Sequence, residues 1–472
     1  MPRPPTQPAP QRTLRVLDAM AIVVGIVIGS GIFFMPSLVA ANAPSSWALL
    51  GLWVTGGVVG MLGGLCYAEL TTAYPDTGGD YYFLRRAYGP EIGFLFAWGR
   101  MTVVQTGALA ATAFIAGNYL ADALPAVTPA VYAGLIVAAL TLLNVMGLTF
   151  GKWTQNVLTS AVVLGLFLVA VVGFSLWLGG GPEPGAQAAA GADGAGLGAI
   201  GLAMVFVLYT YGGWNEAAYL SAEIRAPQRN IALAILLGVG AVTLVYLVVN
   251  LAFLGGLGRE GMAASDAVAA DLLRRVAGEP GALFISSLVV IAVLSTANAT
   301  IITGGRSNYA LGRDYPALFG FMGRWKTSTS VPGVALLVQG GISLLLIVVA
   351  PIFFEEGGVE AMVAYTAPVF WLFFFLVALS VLILRAWDAG TDRPFRVPLY
   401  PLVPVLFAVA CLYMFFSAIA YAGLGSLFGV AVLLLGVPLL SAVRRARVPV
   451  TDPKNVGGGV GTAPRRSVPD TR

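Results

Sequence analysis

The sequence has little charge and no histidine. Of its 472 residues, 10% are charged and 58% are hydrophobic, whereas about 25% of the residues in typical soluble domains are charged. This shortage of charge excludes a water-soluble globular protein. The lack of histidine excludes imidazole acid–base catalysis and sites in which histidine binds zinc or haem. Any coupling to protons would therefore use a carboxylate, a lysine or water.

Cysteine is almost as scarce. Both cysteines, Cys66 and Cys411, lie within long apolar runs, so the sequence predicts neither a disulfide framework nor a cysteine-rich metal site. The sequence also lacks the glycine-rich phosphate-binding motif of ATP-driven proteins. We therefore predict no cofactor, no bound metal and no enzymatic activity. A membrane-embedded enzyme is a remote alternative, because it would need clustered acids or histidines at the interface.

Long apolar stretches fill most of the chain. A bilayer crossing needs about 20 predominantly apolar residues. The stretches therefore predict an all-α polytopic membrane protein with about twelve transmembrane helices. The predicted spans are residues 19–40, 47–73, 92–120, 130–149, 156–178, 199–222, 231–254, 281–305, 334–354, 361–384, 399–421 and 424–443.

Lysine and arginine are distributed unevenly between the two sides of the predicted membrane. With the N-terminus inside, all but three of the 26 lysines and arginines fall on the cytoplasmic side, and the exceptions are Arg259, Arg274 and Arg275. This bias predicts a multi-pass protein of the cytoplasmic membrane with both termini cytoplasmic. The basic surplus then reflects topology and the lipid bilayer. It does not predict nucleic-acid binding, because no basic patch carries interleaved aromatic residues.

The two ends of the chain differ from the apolar middle. Residues 1–17 are rich in proline and are predicted to form a disordered cytoplasmic tail, and residues 444–472 are predicted to form a disordered basic tail. Residues 18–443 form a single predicted transmembrane domain between them.

Two spans carry small residues near their middle. The first contains Gly29-Ser30-Gly31, and the sixth contains Gly212-Gly213. Two interrupted helices in corresponding places predict a binding site between related halves of opposite orientation. Repeat one would cover about 18–178, repeat two about 199–385, and two extra helices about 399–443. The alternative is close helix packing, which small residues also favour in membranes.

An interrupted helix offers unpaired backbone groups of both kinds. The amides that open the half-helix after Gly29 suit a carboxylate. The carbonyls that end the preceding half, near Ile28, suit an ammonium group, and carbonyls between Tyr209 and Tyr211 would add to that pole. Donors and acceptors a few ångströms apart match a zwitterionic amino acid.

Four segments carry a family resemblance. GIVIGSGIFFMP, YGGWNEAAYLSAEIRAPQRNIALAI, STANATIITGGRSNYALGRD and RPFRVPLYPLVP resemble signatures of the amino acid, polyamine and organocation (APC) superfamily, and in particular its L-type amino-acid transporter branch and bacterial relatives. The resemblance covers nearly the whole chain. It implies a LeuT-like five-plus-five inverted repeat with broken helices 1 and 6 and two extra helices. It further implies a secondary active transporter that moves amino acids by alternating access.

The resemblance also assigns roles in substrate binding. It implies that Ser30 and Gly31 take the substrate carboxylate, that the carbonyls of Ile28 and Tyr209 take its amino group, and that the Tyr209 ring is an aromatic gate. Asn215 would support the unwound region. The predicted substrate-binding residues are Ile28, Gly29, Ser30, Gly31, Tyr209, Tyr211, Gly212 and Asn215.

The sequence leaves three modes of coupled transport open: proton symport, sodium symport and exchange. Glu216 on span 6 is the candidate for proton uptake or a charge contact, with a structural ion pair as the alternative. Many relatives carry a span-5 lysine where this sequence has Val162, so a lysine-mediated mechanism is not expected. The coupling or gating candidates are Glu216, Tyr209, Ser295, Thr296 and Asn298, with bridges between helices as the alternative for the last three.

Other charges near the inner ends of spans, Glu69, Arg100, Glu223 and Arg306, are predicted to be snorkelling anchors rather than gate pairs. A polyamine or other organic cation is the alternative substrate. No heavy-chain partner is expected, because both cysteines fall within spans and leave no external cysteine for a linking disulfide.

Overall fold

The computed structural model is helical. It describes residues 27–74, 79–147, 152–180, 197–215, 227–326, 331–353, 358–421 and 424–445, together with Val16, Met20 and Val24. Within these residues, the only β pairing is an isolated antiparallel bridge between Lys326 and Val331.

The described residues form sixteen successive α-helices, with a four-residue 3-10 turn before the first and a π-helical turn among them. The 3-10 turn is Ser30–Phe33, and the π turn Arg100–Val104 joins α4 to α5. The α-helices are α1 Met35–Asn42, α2 Ser46–Ala73, α3 Asp80–Tyr88, α4 Pro90–Gly99, α5 Gln105–Ala123, α6 Pro129–Val145, α7 Lys152–Leu178, α8 Leu197–Thr210, α9 Pro227–Ala263, α10 Val268–Asp314, α11 Pro316–Phe319, α12 Gly333–Phe353, α13 Gly358–Trp387, α14 Leu402–Tyr421, α15 Leu424–Leu434 and α16 Gly436–Arg445.

Seven helices among the described residues are long and apolar enough to cross a membrane, and four shorter apolar helices accompany them. This confirms the predicted class, an all-α multi-pass membrane protein. In the sixth apolar stretch, predicted over 199–222, α8 ends at Thr210, and residues 216–222 lie outside the described residues. At the other end of the chain, α16 continues to Arg445, past the end of the predicted last span, 424–443.

Glycines let some of these helices approach each other closely. A Cβ at Gly173 of α7 would fall on the backbone carbonyl of Ala252 in α9, and a Cβ at Gly117 of α5 would fall on the carbonyl of Pro129 at the start of α6. A backbone carbonyl cannot move aside as a flexible side chain can. Only glycine therefore fits at these two contacts, as expected for helices packed by small residues in lipid.

The interrupted first span lies inside the helix bundle. The 3-10 turn and α1 pack against α8, α9 and α10, while α9 also packs against α2 and α7. On the turn, Ile32 and Phe33 are fully buried. The interruption therefore occurs in the interior of the molecule.

Candidate functional site

The first span is interrupted at Gly29. The amide of Ile28 donates to the Val24 carbonyl at 2.8 Å, which is the helical pattern, but the amide of Gly29 donates to the Val27 carbonyl, only two residues back. Gly29 has extended backbone angles, φ −106° and ψ −164°, and the 3-10 turn begins at the next residue. Its first amides have no intrahelical acceptor, as predicted from the Gly29-Ser30-Gly31 sequence.

The second interruption follows α8. The helix ends at Thr210, the amide of Gly212 donates to the Tyr209 carbonyl at 3.0 Å, and Gly213 has a φ of +112°. This φ is rare for residues with a Cβ, so glycine is required at Gly213. Trp214 and Asn215 form one further 3-10 turn.

The two interruptions are neighbours. A Cβ at Gly31 would lie 3.5 Å from Thr210 Cγ2. The hydroxyl of Tyr246 on α9 lies 2.9 Å from the Val27 carbonyl and 3.0 Å from the Thr210 carbonyl, so it can donate to either helix end. Tyr246 is fully buried. One side chain thus bridges the ends of both broken helices.

Sequence reasoning missed Tyr246. The available signal was a tyrosine hydroxyl inside the apolar run that forms α9, since a polar group at membrane depth has to find a partner. It also missed Tyr119 of α5, whose hydroxyl donates to the Phe33 carbonyl at 2.6 Å and accepts from the Ala269 amide at 3.3 Å. Both tyrosines hold backbone groups beside the first interruption.

The predicted substrate-binding residues divide into two groups. Partly accessible positions are Ile28, Gly29, Gly31, Tyr209 and Gly212. The others, Ser30, Tyr211 and Asn215, are buried.

Tyr211 faces neighbouring helices. Its hydroxyl donates to the Trp53 carbonyl of α2 at 2.9 Å, and its ring lies 5.1 Å from the ring of Tyr246 and 6.0 Å from that of Trp53. Through these contacts, Tyr211 packs against α2 and α9 and supports the interruption.

The coupling candidates on α10 differ in their surroundings. Thr296 faces the first interruption, since a Cβ at Gly29 would lie 3.6 Å from its Oγ1. Asn298 instead accepts a hydrogen bond from Asn144 Nδ2 of α6 at 2.7 Å. That contact matches the alternative of a bridge between helices. Ser295 is buried, and Glu216 lies outside the described residues.

Val162 on α7 is 8% exposed. One turn later, a Cβ at Gly165 would lie 3.1 Å from the ring of Phe33. This part of α7, including Val162 at the position where the resemblance implies a lysine, therefore lies beside the 3-10 turn.

The prediction that Glu69 is a snorkelling anchor is wrong. Its side chain is 3% exposed, and it forms an ion pair with Arg385 of α13 in which the two oxygens accept from Nε at 2.7 Å and Nη2 at 2.5 Å. The amide of Val397 donates to Oε2 at 2.7 Å, and Arg393 Nε lies 3.7 Å from Oε1. The partners are over 300 residues away in sequence, so spacing gave no signal.

The other charged residues near the inner ends of spans differ in their burial. Arg100 is also buried, within the π turn, so it is not a snorkelling anchor. Arg306 is exposed, as an anchor would be, and Glu223 lies outside the described residues.

A second ion pair lies close to Glu69, and its contribution to stability should depend on pH. Arg86 Nη2 lies 2.6 Å from Asp388 Oδ2, and its hydrogen bond holds the pKa of Asp388 below the ordinary value of 3.8. A depressed pKa stabilises the fold above the unfolded-state pKa, and this stabilisation is lost as pH falls through the folded-state value. Both side chains are partly exposed, so we expect Asp388→Asn to cost about 0.2–1 kcal/mol at pH 7.

Melting temperatures in detergent between pH 7 and pH 3 test this. The difference between the wild type and Asp388→Asn should shrink as pH falls below about 4. Asp392→Asn, an exposed acid in the same connector, should follow the wild type throughout. A constant difference for Asp388→Asn would contradict the assignment.

Tyr246→Phe should uncouple the two helix ends with little loss of packing. The ring contacts with Trp53 at 5.4 Å and Tyr211 at 5.1 Å would remain. The single hydroxyl proton that the Val27 and Thr210 carbonyls share would be lost, and the Val27 carbonyl would keep only its hydrogen bond from the Gly29 amide. A buried acceptor left unpaired costs about 1–3 kcal/mol. We expect a lower melting temperature and, if the predicted transporter function is correct, slower uptake. Tyr413→Phe, on an exposed ring of α14, should change neither.

An all-helical, multi-pass membrane protein with two interrupted helices side by side has the architecture of a membrane transporter. Residues 14–438 match the amino acid permease family, and the chain belongs to that family. It is therefore a transporter and not an enzyme. The match agrees with the resemblance to the APC superfamily.

Several similar proteins are named as transporters of amino acids. The chain is 30% identical over 419 residues to the mouse (Mus musculus) b(0,+)-type amino acid transporter 1, covering 87% of this chain and 83% of that protein. It is 25% identical over 445 residues to the human cystine/glutamate transporter, covering 92% and 86%. It is 28% identical over 446 residues to the mouse large neutral amino acids transporter small subunit 2, covering 91% and 80%.

Proposed function

We propose that this protein is a secondary active transporter that moves amino acids across the cytoplasmic membrane by alternating access. The observation that carries the proposal is the juxtaposition of the two interruptions, with the hydroxyl of Tyr246 within 3.0 Å of the carbonyls of Val27 and Thr210. Family membership supports it, since the similar proteins are named as amino acid transporters.

The proposed architecture has twelve spans in a LeuT-like five-plus-five inverted repeat, followed by two extra helices. Repeat one covers about 18–178 and repeat two about 199–385. Both termini are cytoplasmic, with residues 1–17 and 444–472 as tails. The positive-inside bias of the lysines and arginines supports this orientation.

The carboxylate of the substrate binds backbone amides at the interruptions, and its amino group binds backbone carbonyls. The amides of Ser30 and Gly31 receive the carboxylate, because they open a helical turn and lie at its positive end. The carbonyls of Ile28 and Tyr209 receive the amino group. The Tyr209 carbonyl already accepts from Gly212 at 3.0 Å, which leaves one lone pair for substrate.

In the proposed orientation, the residues that follow Gly31 toward the outer end of the first span are tightly packed, which supports a site that is closed on that side. On the outer side of Gly31, Ile32, Phe33 and Met35 are fully buried, and Arg259 of α9 donates to the carbonyl of Ala40 at the end of α1 at 3.4 Å. Ile28 and Gly29, which precede these residues in the span, are partly accessible. That arrangement fits a transporter that opens to one side at a time.

Amino acids are favoured over polyamines as substrates. The partly accessible positions Ile28, Gly29, Gly31 and Gly212 carry no acidic side chain that would attract a second ammonium group. Glu216, the acid that would favour a polyamine, lies outside the described residues. Glu216 is retained as the coupling carboxylate, and exchange is the alternative mode. We also propose that no heavy chain is linked by a disulfide, because Cys66 and Cys411 are buried.

Uptake of radiolabelled amino acids into proteoliposomes tests the proposal. The purified protein would be assayed with and without internal amino acids and with an imposed proton gradient. Uptake that needs internal amino acid establishes exchange, whereas uptake driven by an acid exterior into empty vesicles establishes proton symport. In the second case, Glu216→Gln should abolish the pH dependence. Uptake of polyamines alone would overturn the proposed substrate.

A further inference from the structure

Four cationic side chains lie together where α10 meets the loop that follows it. Arg306, Arg313, Arg324 and Lys326 are exposed, and no ion pair joins them to a carboxylate within the described ranges. The acid next to Arg313, Asp314, is engaged elsewhere: it accepts from the Tyr81 hydroxyl at 2.9 Å and lies 3.9 Å from Arg85. The cluster therefore keeps a net positive charge.

Topology alone does not explain this cluster. Other arginines on the same side of the protein have carboxylate partners, as in the pairs Arg86–Asp388 at 2.6 Å and Arg385–Glu69 at 2.5 Å. The positive-inside rule accounts for the number of cations on a side. It does not account for four exposed cations at one place that have no carboxylate partner among the described residues.

Aromatic side chains lie between these cations. The rings of Tyr309 and Trp325 are 5.3 Å apart in an edge-to-face arrangement, and the Arg313 guanidinium carbon lies 6.0 Å from the Tyr309 ring centroid. Trp325 is 44% exposed, and Phe321 on the same loop is 49% exposed. Exposed aromatic rings beside cations suit the boundary between headgroups and acyl chains.

The loop that carries half of this surface is held in place. A Cβ at Gly312 of α10 would fall on the backbone nitrogen of Gly323, so the two backbones are in direct contact. The amide of Lys326 donates to the Val331 carbonyl at 3.0 Å. A surface that is already ordered loses less conformational entropy when a ligand binds.

We propose that this surface, the α10 patch, binds the headgroup of an anionic phospholipid of the cytoplasmic leaflet. The α10 patch consists of Arg306, Tyr309, Arg313, Phe321, Arg324, Trp325 and Lys326. The guanidinium groups hold the phosphate through charge-assisted hydrogen bonds. Phe321 and Trp325 lie against the start of the acyl chains. A soluble phosphate would use only the cations and would leave both exposed rings in water. The site is separate from the transport site.

Native mass spectrometry of the full-length protein in detergent tests the proposal. Phosphatidylglycerol and phosphatidylcholine with identical acyl chains are titrated, and bound lipid is counted. We expect phosphatidylglycerol to bind the wild type more tightly. Arg324→Gln should weaken it about fivefold, the effect of one cation near an anionic surface, and Arg313→Gln/Arg324→Gln about 25-fold. Arg324→Lys should retain most of the binding.

The matched control is Arg396→Gln, which removes an exposed cytoplasmic-side cation outside the α10 patch. Equal losses in Arg396→Gln and Arg324→Gln would overturn the proposal, because diffuse charge would then explain binding. Equal binding of the two lipids by the wild type would overturn it as well. Displacement of the lipid by glycerol phosphate at equal concentration would assign the cluster to a soluble phosphate instead. Melting temperatures of every variant confirm that each is folded.

Discussion

Glu69→Gln is expected to lower the free energy of unfolding by about 3–5 kcal/mol, the cost of removing one partner from a buried ion pair. The wild-type carboxylate is 3% exposed and accepts hydrogen bonds from Arg385 and from the Val397 amide. Glutamine would keep the shape but leave the guanidinium groups of Arg385 and Arg393 without a countercharge. The loss would separate the end of α2 from the end of α13 and the connector after it.

Unfolding in detergent, followed by helical circular dichroism, measures this loss. Glu260→Gln, a matched change at an exposed glutamate on α9, should stay within about 0.5 kcal/mol of the wild type. Glu69→Leu/Arg385→Met should recover part of the stability, because it removes both charges of the pair. A Glu69→Gln protein as stable as the wild type would show that the ion pair contributes little.

The helices were largely predictable from the sequence because lipid leaves the backbone few options. Without water, the amides and carbonyls of a span must pair within the span, so an apolar run of the right length becomes a helix. α2 and α12 accordingly begin and end within one residue of the predicted spans 47–73 and 334–354. The break at Gly29 was predictable as well, because two glycines flanking a serine at mid-span weaken a helix.

The partners around the site were not predictable from the sequence. Tyr119 holds a carbonyl 86 residues away and Tyr246 one 219 residues away. Neither contact follows from helical periodicity. Glu69 was misread for the same reason, since a charge near a helix end can equally snorkel to water or meet a partner from another helix. The composition of a segment determines whether it forms a helix, whereas contacts between distant segments depend on how the helices assemble.

Gly31→Ala should fold normally and transport poorly. The new methyl would lie 3.5 Å from Thr210 Cγ2 and 3.8 Å from Met35 Cγ, which are ordinary van der Waals contacts. It would stand in the gap between the two interruptions, where the proposed substrate carboxylate approaches the backbone amides. A hydrogen bond to a charged group contributes about 1.5–3 kcal/mol. We therefore expect amino-acid affinity to fall by about 10- to 100-fold in proteoliposome uptake.

Two other glycines separate packing from binding in this experiment. Gly341→Ala on α12 adds a methyl with no neighbour within 4 Å, so both stability and uptake should match the wild type. Gly173→Ala forces a methyl onto the Ala252 carbonyl, and both should fall, with stability lower by about 1–3 kcal/mol. Only a substrate site predicts that Gly31→Ala keeps its melting temperature but loses affinity for the amino acid. If Gly31→Ala behaved like Gly341→Ala, substrate would bind elsewhere, and if it behaved like Gly173→Ala, the interruption would serve packing.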